Sequence, residues 1–464
     1  MPAERGWWPD YIYLDGEVAK GWALFCDEQG IIRRFSRDQS DLAKAERLER
    51  RFLIPGLVNG HSHSFQRIIR GRTEFRNAAE RDTFWTWREK MYSAASRLEP
   101  SEIYDAARMA FLEMALSGIT TVGEFHYLHH QPDGTPYSDR NALAKLIIQA
   151  ARDVGIRLTL LRTAYHRAGF EQPANPFQAR FITPKPDDFI QDTEALCNWI
   201  QQERLADRTS IGVALHSLRA VSIEYLRGVV RYADRRGLPL HMHVAEQPAE
   251  LAQCRAEYGR SPVELLHDEE VLNERFTAVH AIHISESEAK FLARAKSCVC
   301  ACPTSERNLA DGTVPADWLL REGGRLSLGS DSQIQIDLFE DARLLEYHLR
   351  MTRLERVLLA SEKGQDLAQR LFVMLTKEGA RSLQMPVGEL AIGCPADFTV
   401  IDLDDPSVAG GEPGTLLDQL LFSVERTAVR EVFVQGQAIV QQGRHPDQTE
   451  IVHKFSELQR RLWS

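Results

Sequence analysis

Hydrophobic and polar positions in the middle of the chain alternate between the two-residue period of strands and the longer period of helices. In one example, the helical pattern at residues 222–236 stops at Gly237, and the apolar run 238–244 follows it. The first run of this kind covers residues 53–63 and the last covers 325–329. Between residue 53 and about 345 the pattern repeats as eight strand-plus-crossover units. It predicts an α/β fold, a (β/α)8 TIM-type barrel.

The two ends of the chain differ from the middle, because short strands separated by turn residues replace the alternation with helices. Tyr11–Leu14, for example, is followed by Asp15-Gly16, and residues 396–440 have the same texture. We expect both ends to pair into one small, discontinuous β-sandwich domain. The predicted domains are residues 1–55 (N-terminal part of the accessory β-domain), 56–384 (barrel) and 385–464 (C-terminal part of the accessory β-domain).

Composition narrows the class of protein and its partners. The chain has 464 residues, 43% of them hydrophobic, and a net charge of −10. This acidic balance argues against general binding to nucleic acid or to anionic membranes. No apolar stretch reaches the ~18 residues of a membrane-spanning helix, and the N-terminus has no signal-peptide pattern. Seven cysteines without a small disulfide framework indicate reduced thiols and a cytoplasmic location.

Two local segments carry predictions of their own. Cys298, Cys300 and Cys302 alternate within a short apolar run. This spacing is compatible with a thiolate metal site, but it is more typical of a buried strand in which cysteine acts as a small hydrophobic residue, and we expect the strand. The polar, proline-rich stretch 169–188 is expected to be an irregular surface insertion.

A His-x-His pair ends the first predicted barrel strand. The apolar run 52–58 is interrupted by Pro55-Gly56 and then leads to His61 and His63. Residues i and i+2 of a strand point to the same side, so the two imidazoles project together from the strand end. Such a pair is half of a divalent metal site, although a lone His-x-His is weak evidence until further ligands appear downstream.

Further candidate ligands follow at the carboxyl ends of later predicted strands, where barrels of this kind carry their function. His241 and His243 end the fifth strand, and Asp331 follows the eighth. With the first pair they provide three histidines and a carboxylate, leaving one position for water, which suits Zn²⁺ or Fe²⁺. His241 and His243 share a face, so either could complete the set. No lysine lies at an obvious strand end to bridge a second ion, so we expect one metal.

Two more polar residues near these strand ends indicate a reaction. Glu246 lies three residues beyond His243, and His280 ends the sixth predicted strand. A bound divalent metal brings the pKa of its water near neutrality, and Glu246 is placed to pass that proton to a leaving nitrogen. His280 is placed to orient the resulting hydroxide. Each residue alone has an ordinary structural explanation, but their occurrence at successive strand ends predicts a metal-dependent hydrolase.

Several motifs resemble a known superfamily. Residues 54–63, the run His243-Val-Ala-Glu246, His280 and Gly329-Ser-Asp331 are similar to the metal-dependent amidohydrolases, in the branch of cytosine/guanine deaminases and chlorohydrolases. Within that branch, six motifs together resemble the formimidoylglutamate deiminase family. They cover residues 61–67, 82–89, 124–130, 216–220, 243–247 and 302–312.

This resemblance implies a role for individual residues. The implied metal ligands are His61, His63, His243 and Asp331, which leaves His241 to support or packing. Glu246 and His280 are the implied catalytic pair. The implied substrate-binding residues are Gln66, Arg88, Tyr127, His216 and Arg219. The resemblance leaves the local contacts of Gln333 open.

The resemblance also implies a reaction and its partners. The reaction is hydrolytic deimination of N-formimidoyl-L-glutamate to N-formyl-L-glutamate and ammonia, in histidine degradation, by a metal-activated water. The expected cofactor is one Zn²⁺, with Fe²⁺ as the alternative, and the expected assembly is a homodimer. Whether Arg88 reaches its own site or that of a neighbouring subunit stays open at this point.

The chemistry of the implied substrate favours two of these residues, Arg88 and Arg219, on independent grounds. A small amidine with two carboxylates favours arginines, because paired arginine–carboxylate bonds are strong and oriented. Arg88, in a loop rich in aromatic residues, and Arg219, just past a strand end, are plausible clamps, although either could be a surface residue. A nucleobase deaminase would instead need stacking, which Trp85 and Trp87 could supply. A non-catalytic, ligand-binding relative is the third possibility, and Glu246 beside an open metal position argues against it.

Overall fold

The structure, a computed structural model, describes residues 4–75, 82–173, 176–362, 364 and 366–464. Two eight-stranded sheets organise this chain. The first strands belong to the accessory sheet: β1 (Arg5–Leu14), β2 (Glu17–Lys20), β3 (Ala23–Cys26), β4 (Ile32–Ser36) and β5 (Glu46–Pro55).

The second sheet is the predicted barrel. Its strands are parallel and follow one another in chain order. They are β6 (Leu57–Ser62), β7 (Ile119–His126), β8 (Arg157–Ala164), β9 (Thr209–Ser217), β10 (Leu240–Val244), β11 (Phe276–His280), β12 (Cys298–Ala301) and β13 (Arg325–Leu328). Backbone hydrogen bonds from His63 N–H to Asp331 O (3.0 Å) and from Asp331 N–H to His61 O (3.1 Å) join the last strand region to the first.

The remaining strands return to the accessory sheet. They are β14 (Phe398–Asp402), β15 (Val429–Val434) and β16 (Gln437–Val440). β14 pairs antiparallel with β5, so strands from both chain ends share one sheet, in the order β16-β15-β14-β5-β1-β3-β4 with β2 on β1. The discontinuous accessory sheet predicted from the sequence is therefore confirmed.

Helices cover the outside of the barrel and support its loops. The helices before β10 are α1 (Gln39–Leu42), α2 (Phe84–Ser96), α3 (Pro100–Leu116), α4 (Ala142–Val154), α5 (Pro186–Gln202) and α6 (Ile223–Arg236). Those that follow are α7 (Pro248–Tyr258), α8 (Pro262–Asp268), α9 (Glu286–Arg294), α10 (Pro303–Leu309), α11 (Ala316–Arg321), α12 (Leu338–Arg353), α13 (Leu367–Val373), α14 (Gly379–Ser382), α15 (Leu416–Phe422) and α16 (Gln448–Trp463). A π-helical turn, Met374–Glu378, joins α13 to α14, and short 3₁₀ turns occupy Ser64–Ile69, Pro176–Phe181 and Arg426–Ala428.

The helix boundaries follow from the local sequence. In α6 the Ser222 hydroxyl accepts a hydrogen bond from the Tyr225 N–H (3.3 Å), and Gly237 ends the helix in the left-handed conformation (φ +64°). Serine and glycine are the residues that favour these two ends. Gly237 was also the signal that ended the helix predicted at residues 222–236.

The chain crosses from the accessory sheet into the barrel at a single residue, Gly56. A Cβ at this position would lie 2.2 Å from the Thr120 hydroxyl oxygen, so only glycine fits there. Next to this crossing, Arg157 at the start of β8 forms a buried ion pair with Asp397 (2.9 Å). The accessory sheet is therefore held against the amino-terminal end of the barrel, away from the ends of the strands that carry the candidate ligands.

The C-terminal helix reaches the opposite side of the molecule. α16 packs on α3, and Gln459 and Trp463 donate side-chain hydrogen bonds to the carbonyl of Ile68 (2.9 and 3.3 Å). Ile68 lies in the 3₁₀ turn that directly follows His63. This helix therefore stabilises the first loop of the candidate site.

The expectation of an irregular surface insertion at residues 169–188 is wrong for the segment 178–181, and residues 174–175 of this stretch lie outside the described part of the chain. Gln178, Arg180 and Phe181 are buried. The Arg180 guanidinium donates to the carbonyls of Ala95 and Leu98 at the end of α2 (2.7 and 2.9 Å), so its burial is compensated by backbone acceptors. The expectation of a buried cysteine strand is confirmed for β12, which contains Cys298 and Cys300. Cys302 lies directly after this strand, and all three cysteines are buried. No helix among the described residues combines the length and apolarity needed to cross a membrane.

Candidate metal centre and active site

The carboxyl ends of the barrel strands bring the candidate ligands to one point. His61 lies in β6, His63 directly after it and His243 in β10, while Asp331 follows β13. Gly329 makes this approach possible, because a Cβ there would lie 2.8 Å from both the Cβ and the carbonyl oxygen of His61. A larger residue would push the eighth strand away from the first.

The four side chains converge within hydrogen-bonding distance of one another. The Nε2 atom of His63 lies 3.1 Å from that of His61 and 3.2 Å from that of His243. The Asp331 Oδ1 atom lies 3.2 Å from His61 Nε2 and 3.3 Å from His63 Nε2. All four residues are buried, and their donor atoms form a group that could hold a metal ion.

The hydrogen bonds made by the Nδ1 atoms of His63 and His243 show why the four converging side chains fit a cation. His63 Nδ1 donates to the carbonyl of Phe125 and His243 Nδ1 donates to the carbonyl of His216, both at 2.9 Å. A carbonyl only accepts, so each Nδ1 carries the hydrogen, and burial lowers the pKa of both rings and keeps them neutral. Two unprotonated Nε2 atoms therefore face each other at 3.2 Å. Such an arrangement of lone pairs is typical of histidine ligands oriented around a divalent ion.

His241, the competing ligand from sequence, lies elsewhere. Its Nε2 contacts the carbonyl of Ser382 at 2.8 Å, in the interior of the barrel, and His241 is absent from the group of converging donors. The structure therefore brings His243, and not His241, to the candidate metal position.

Glu246 and His280 lie beside this group. The His280 Nε2 atom is 3.9 Å from Glu246 Oε1, and the His280 ring stacks on that of His243 at 5.5 Å between ring centroids. Burial raises the pKa of Glu246 to about 7, against the opposing effect of His280 and Arg219. Burial opposes protonation of His280, but the carboxylates of Glu246 and Glu306 outweigh it and raise its pKa.

The backbone at these strand ends is strained. Ala245, His280 and Asp331 all adopt positive φ, at +51°, +71° and +46°. Such conformations cost non-glycine residues about 1 kcal/mol or more and concentrate at functional sites. Here they turn each strand sharply at its end and direct the side chains of His280 and Asp331 into the pocket.

The predicted substrate-binding residues line the same pocket. It is bordered by ten of the eleven predicted site residues, while His61 lies behind them, fully buried. Those ten are His63, Gln66, Arg88, Tyr127, His216, Arg219, His243, Glu246, His280 and Asp331. Arg88 therefore reaches the pocket of its own chain.

Two arginines enter this pocket with unused hydrogen-bond donors. Arg88 and Arg219 each have buried Nε and Nη1 atoms without a partner among the described residues. Both guanidinium groups lie over the Trp85 ring, whose centroid is 4.5 Å from the guanidinium carbon of Arg88 and 5.5 Å from that of Arg219. Arg88 lies in helix α2 and not in the loop expected from sequence, because Thr83 and Thr86 form a capping box that starts a helix at Phe84.

Gln66, Tyr127 and His216 form another part of the pocket lining. The Gln66 amide donates to the Tyr127 hydroxyl (3.0 Å), which leaves the buried Gln66 Oε1 without a protein partner in the described chain. The His216 ring packs against the rings of His243 and Tyr127, at 4.9 and 5.3 Å between centroids. This part of the lining offers both hydrogen-bonding and aromatic contacts to a small ligand.

Sequence reasoning did not identify Glu124, which supports the loop that carries the first two histidines. Its carboxylate accepts hydrogen bonds from the Ser62 hydroxyl (2.6 Å), the Ser64 N–H (2.7 Å) and the Ser64 hydroxyl (2.6 Å). Gln333 donates to the same Ser62 hydroxyl at 2.9 Å and so connects this network to the turn after Asp331. The serines that flank His63 in the sequence were the available signal, but they do not indicate which acid they bind.

Comparison with known proteins agrees with this geometry. The sequence matches the amidohydrolase family over residues 52–439. A formimidoylglutamate deiminase from Pseudomonas aeruginosa is 38% identical over 446 residues, which cover 94% of this chain and 96% of that protein. A 5-methylthioadenosine/S-adenosylhomocysteine deaminase from Caldanaerobacter subterraneus is 27% identical, with coverage of 84% and 81%.

A solved structure of a related protein has the same fold as this chain. An amidohydrolase from Brucella melitensis superposes with a TM-score of 0.92 at 33% identity, and the match covers 99% of this chain and all of that one. The family match spans most of the sequence, and the relative from P. aeruginosa aligns almost from end to end. This chain belongs to the amidohydrolase family.

Proposed function

We propose that this protein hydrolyses N-formimidoyl-L-glutamate to N-formyl-L-glutamate and ammonia, as a step in histidine degradation. The observation that carries the proposal is the pair of arginines, Arg88 and Arg219, whose buried and unpartnered Nε and Nη1 atoms belong to side chains that line the same pocket as the candidate metal ligands. A substrate with two carboxylates satisfies both guanidinium groups, and burying them without such partners would be costly. The 38% identity to a formimidoylglutamate deiminase supports the same substrate.

We assign His61, His63, His243 and Asp331 as ligands of one divalent ion. Three imidazoles and one carboxylate suit Zn²⁺, and Fe²⁺ is the alternative. When bound, such an ion acts as a Lewis acid and lowers the pKa of a water at its open position.

Glu246 moves the protons in this proposal. Its carboxylate accepts a proton from the attacking water and delivers it to the amidine nitrogen that leaves. In the overall balance a carbon–oxygen bond forms, a carbon–nitrogen bond breaks, and both water protons end on ammonia. His280 Nε2, 3.9 Å from Glu246, faces the same space and stabilises the negative charge that develops on oxygen.

The other pocket residues position the substrate. Arg88 and Arg219 each bind one carboxylate, and this fixes both ends of the glutamate moiety. Gln66, Tyr127 and His216 also line the pocket and contact the formimidoyl end. Gln66, Tyr127, His216 and Arg219 are buried and Arg88 is half-buried, so the bound substrate excludes water from the reacting carbon.

A substrate panel tests the proposal. We expect the metal-loaded enzyme to release ammonia rapidly from N-formimidoyl-L-glutamate, and at least 100-fold more slowly from N-formimidoyl-glycine, guanine, cytosine and 5-methylthioadenosine. Faster release from a nucleobase or nucleoside would make this chain a different deaminase of the family. Bound metal without ammonia release from any compound would favour a non-catalytic, ligand-binding relative.

We further propose that the protein acts as a homodimer in the cytoplasm. Because Arg88 lines the pocket of its own chain, the proposed dimer is not needed to complete the site. Light scattering coupled to size-exclusion chromatography tests the assembly: a mass of twice 52.7 kDa is expected, and a monomer mass would contradict it. Fractionation of the source cells tests the location.

A further inference from the structure

We propose that Glu306 is a positioning residue for His280, whose imidazole it holds with Nδ1 as donor and Nε2 directed at Glu246. The proposal rests on the proposed function, because it explains how one group of that site is held. Glu306 lies in the 302–312 motif, and the function as described assigns no role to this motif.

The contact itself joins two buried groups. The His280 Nδ1 atom lies 3.2 Å from Glu306 Oε1, and the Cys302 N–H donates to the same oxygen at 2.8 Å. Each side chain is only 1–2% exposed, so water does not compete for this hydrogen bond. An ionised carboxylate is an acceptor only, and the hydrogen therefore resides on His280 Nδ1.

The same contact directs the other side of the ring. With Nδ1 bound to Glu306, Nε2 points toward Glu246 Oε1 at 3.9 Å. That gap is too long for a direct hydrogen bond, but an atom lying between the two groups could contact both. Without Glu306 the ring is free to rotate by half a turn about its bond to Cβ, and this rotation removes Nε2 from the reacting atoms.

The backbone at His280 makes this restraint necessary. His280 is the last residue of β11 and has φ +71°, and Ala281 follows with φ +51°. Strand pairing therefore ends at the residue whose ring must be oriented, and β11 itself does not fix the ring. In a well-studied catalytic triad, loss of the carboxylate partner of a histidine costs about 10⁴-fold in kcat.

Two other roles for Glu306 lead to different outcomes. The first is purely structural, since the bond to the Cys302 N–H also stabilises the start of α10. The second is a further metal site, because donor atoms of His280, Cys302 and Glu306 all lie within 4.8 Å of one another. The hydrogen bond between His280 Nδ1 and Glu306 Oε1 already uses two of those three donor atoms. This favours the positioning role over a second metal site.

The test compares Glu306→Ala and Glu306→Gln with a matched control, Glu288→Ala. Glu288 is also buried and also accepts a backbone N–H at a helix start, from Ser285 at 2.7 Å, but it lies outside the site. We expect E306A to lower kcat at least 100-fold, with KM within threefold of wild type and one metal per chain. E306Q should recover at least tenfold of that loss, because its amide oxygen can accept the same hydrogen bond. E288A should keep wild-type kcat even if its melting temperature falls.

Three results would overturn the proposal. The first is wild-type kcat per bound metal in E306A. The second is a loss in E306A that E306Q does not restore at all. The third is a second metal ion in the wild type that disappears in E306A, since that ion would occupy His280 Nδ1.

A spectroscopic readout keeps this test separate from the choice of substrate. In holoenzyme labelled with ¹⁵N-histidine, His280 should give a downfield Nδ1–H proton resonance, assigned by its loss in H280Q. This resonance should be present in E288A and absent from E306A. If the wild type turns over a different amidine, kcat is measured on that compound, so failure of the proposed substrate does not decide the role of Glu306. A wild-type spectrum without this resonance would contradict the positioning role directly.

Discussion

Arg88 and Arg219 are each proposed to bind one carboxylate of the substrate. Replacing either arginine should therefore abolish the contribution of that carboxylate to kcat/KM. Both Nε and Nη1 of Arg219, and the same atoms of Arg88, are buried without protein partners in the described chain, so each guanidinium has two donors left for substrate oxygens. Hydrogen bonds to charged groups contribute about 1.5–3 kcal/mol each. Two of them amount to about 3 kcal/mol or more, and every 1.4 kcal/mol is roughly tenfold. Arg219→Ala should therefore lower kcat/KM for N-formimidoyl-L-glutamate at least 100-fold.

The informative assay pairs the substrate with an analogue that lacks one carboxylate. Ammonia release is measured for N-formimidoyl-L-glutamate and for N-formimidoyl-L-2-aminobutyrate, in wild type, R88A and R219A. One variant should lose its preference for the γ-carboxylate, and the other should be slowed equally on both compounds through the α-carboxylate. Arg227→Ala is the control, since Arg227 is half exposed and pairs with Glu269 on the surface.

The reasoning would be refuted if R88A and R219A stayed within threefold of wild type on both compounds. It would also be refuted if both variants kept the full preference for the γ-carboxylate. In either case the buried donors would serve the protein itself, and the proposed dicarboxylate substrate would lose its main support.

Further predictions concern the proton shuttle, the domain contact and acid stability. Glu246→Gln should keep its metal but lower kcat by roughly 10²–10⁴-fold, and near-normal turnover in a metal-replete sample would exclude the shuttle. Asp397→Ala should lower the free energy of unfolding in urea by about 3–5 kcal/mol, because it leaves the buried Arg157 unpaired; a loss below about 1 kcal/mol would contradict this. The pKa of Asp27 is lowered by hydrogen bonds from the Ile31 N–H and Arg33, against the effect of burial. Its stabilisation is thus present above about pH 4 and lost as pH falls through the lowered pKa, so Asp27→Asn should be less stable than wild type at pH 7, with a smaller difference at pH 3. An equal difference at both pH values would contradict the assignment.

The barrel and its metal group could be predicted because their signals are local. His61 and His63 project together by strand geometry alone, and the strand ends at His243, His280 and Asp331 follow from short apolar runs. Parallel strands in chain order then bring those ends to one edge. The choice between His241 and His243 could not be made in this way, because both side chains of an i, i+2 pair satisfy the same local rule.

The supporting contacts could not be predicted because they join residues far apart in the chain. Glu124 binds serines about 60 residues earlier, and Gln333 reaches Ser62 only after the barrel has closed. Arg180 was expected at the surface because the surrounding stretch 169–188 is polar, yet it is buried against the end of α2. These positions depend on barrel closure and on the packing of α2, and no local period encodes either.

The most direct test of the central claim follows the formimidoyl carbon of ¹³C-labelled N-formimidoyl-L-glutamate in H₂¹⁸O, with one equivalent of Zn²⁺ per chain. We predict N-formyl-L-glutamate with ¹⁸O in the formyl group, one ammonia for each molecule formed, and no turnover after the metal has been removed by chelation. Release of formamide and glutamate would mean that the other carbon–nitrogen bond breaks. That result, or full activity of the metal-free protein, would contradict the proposed function.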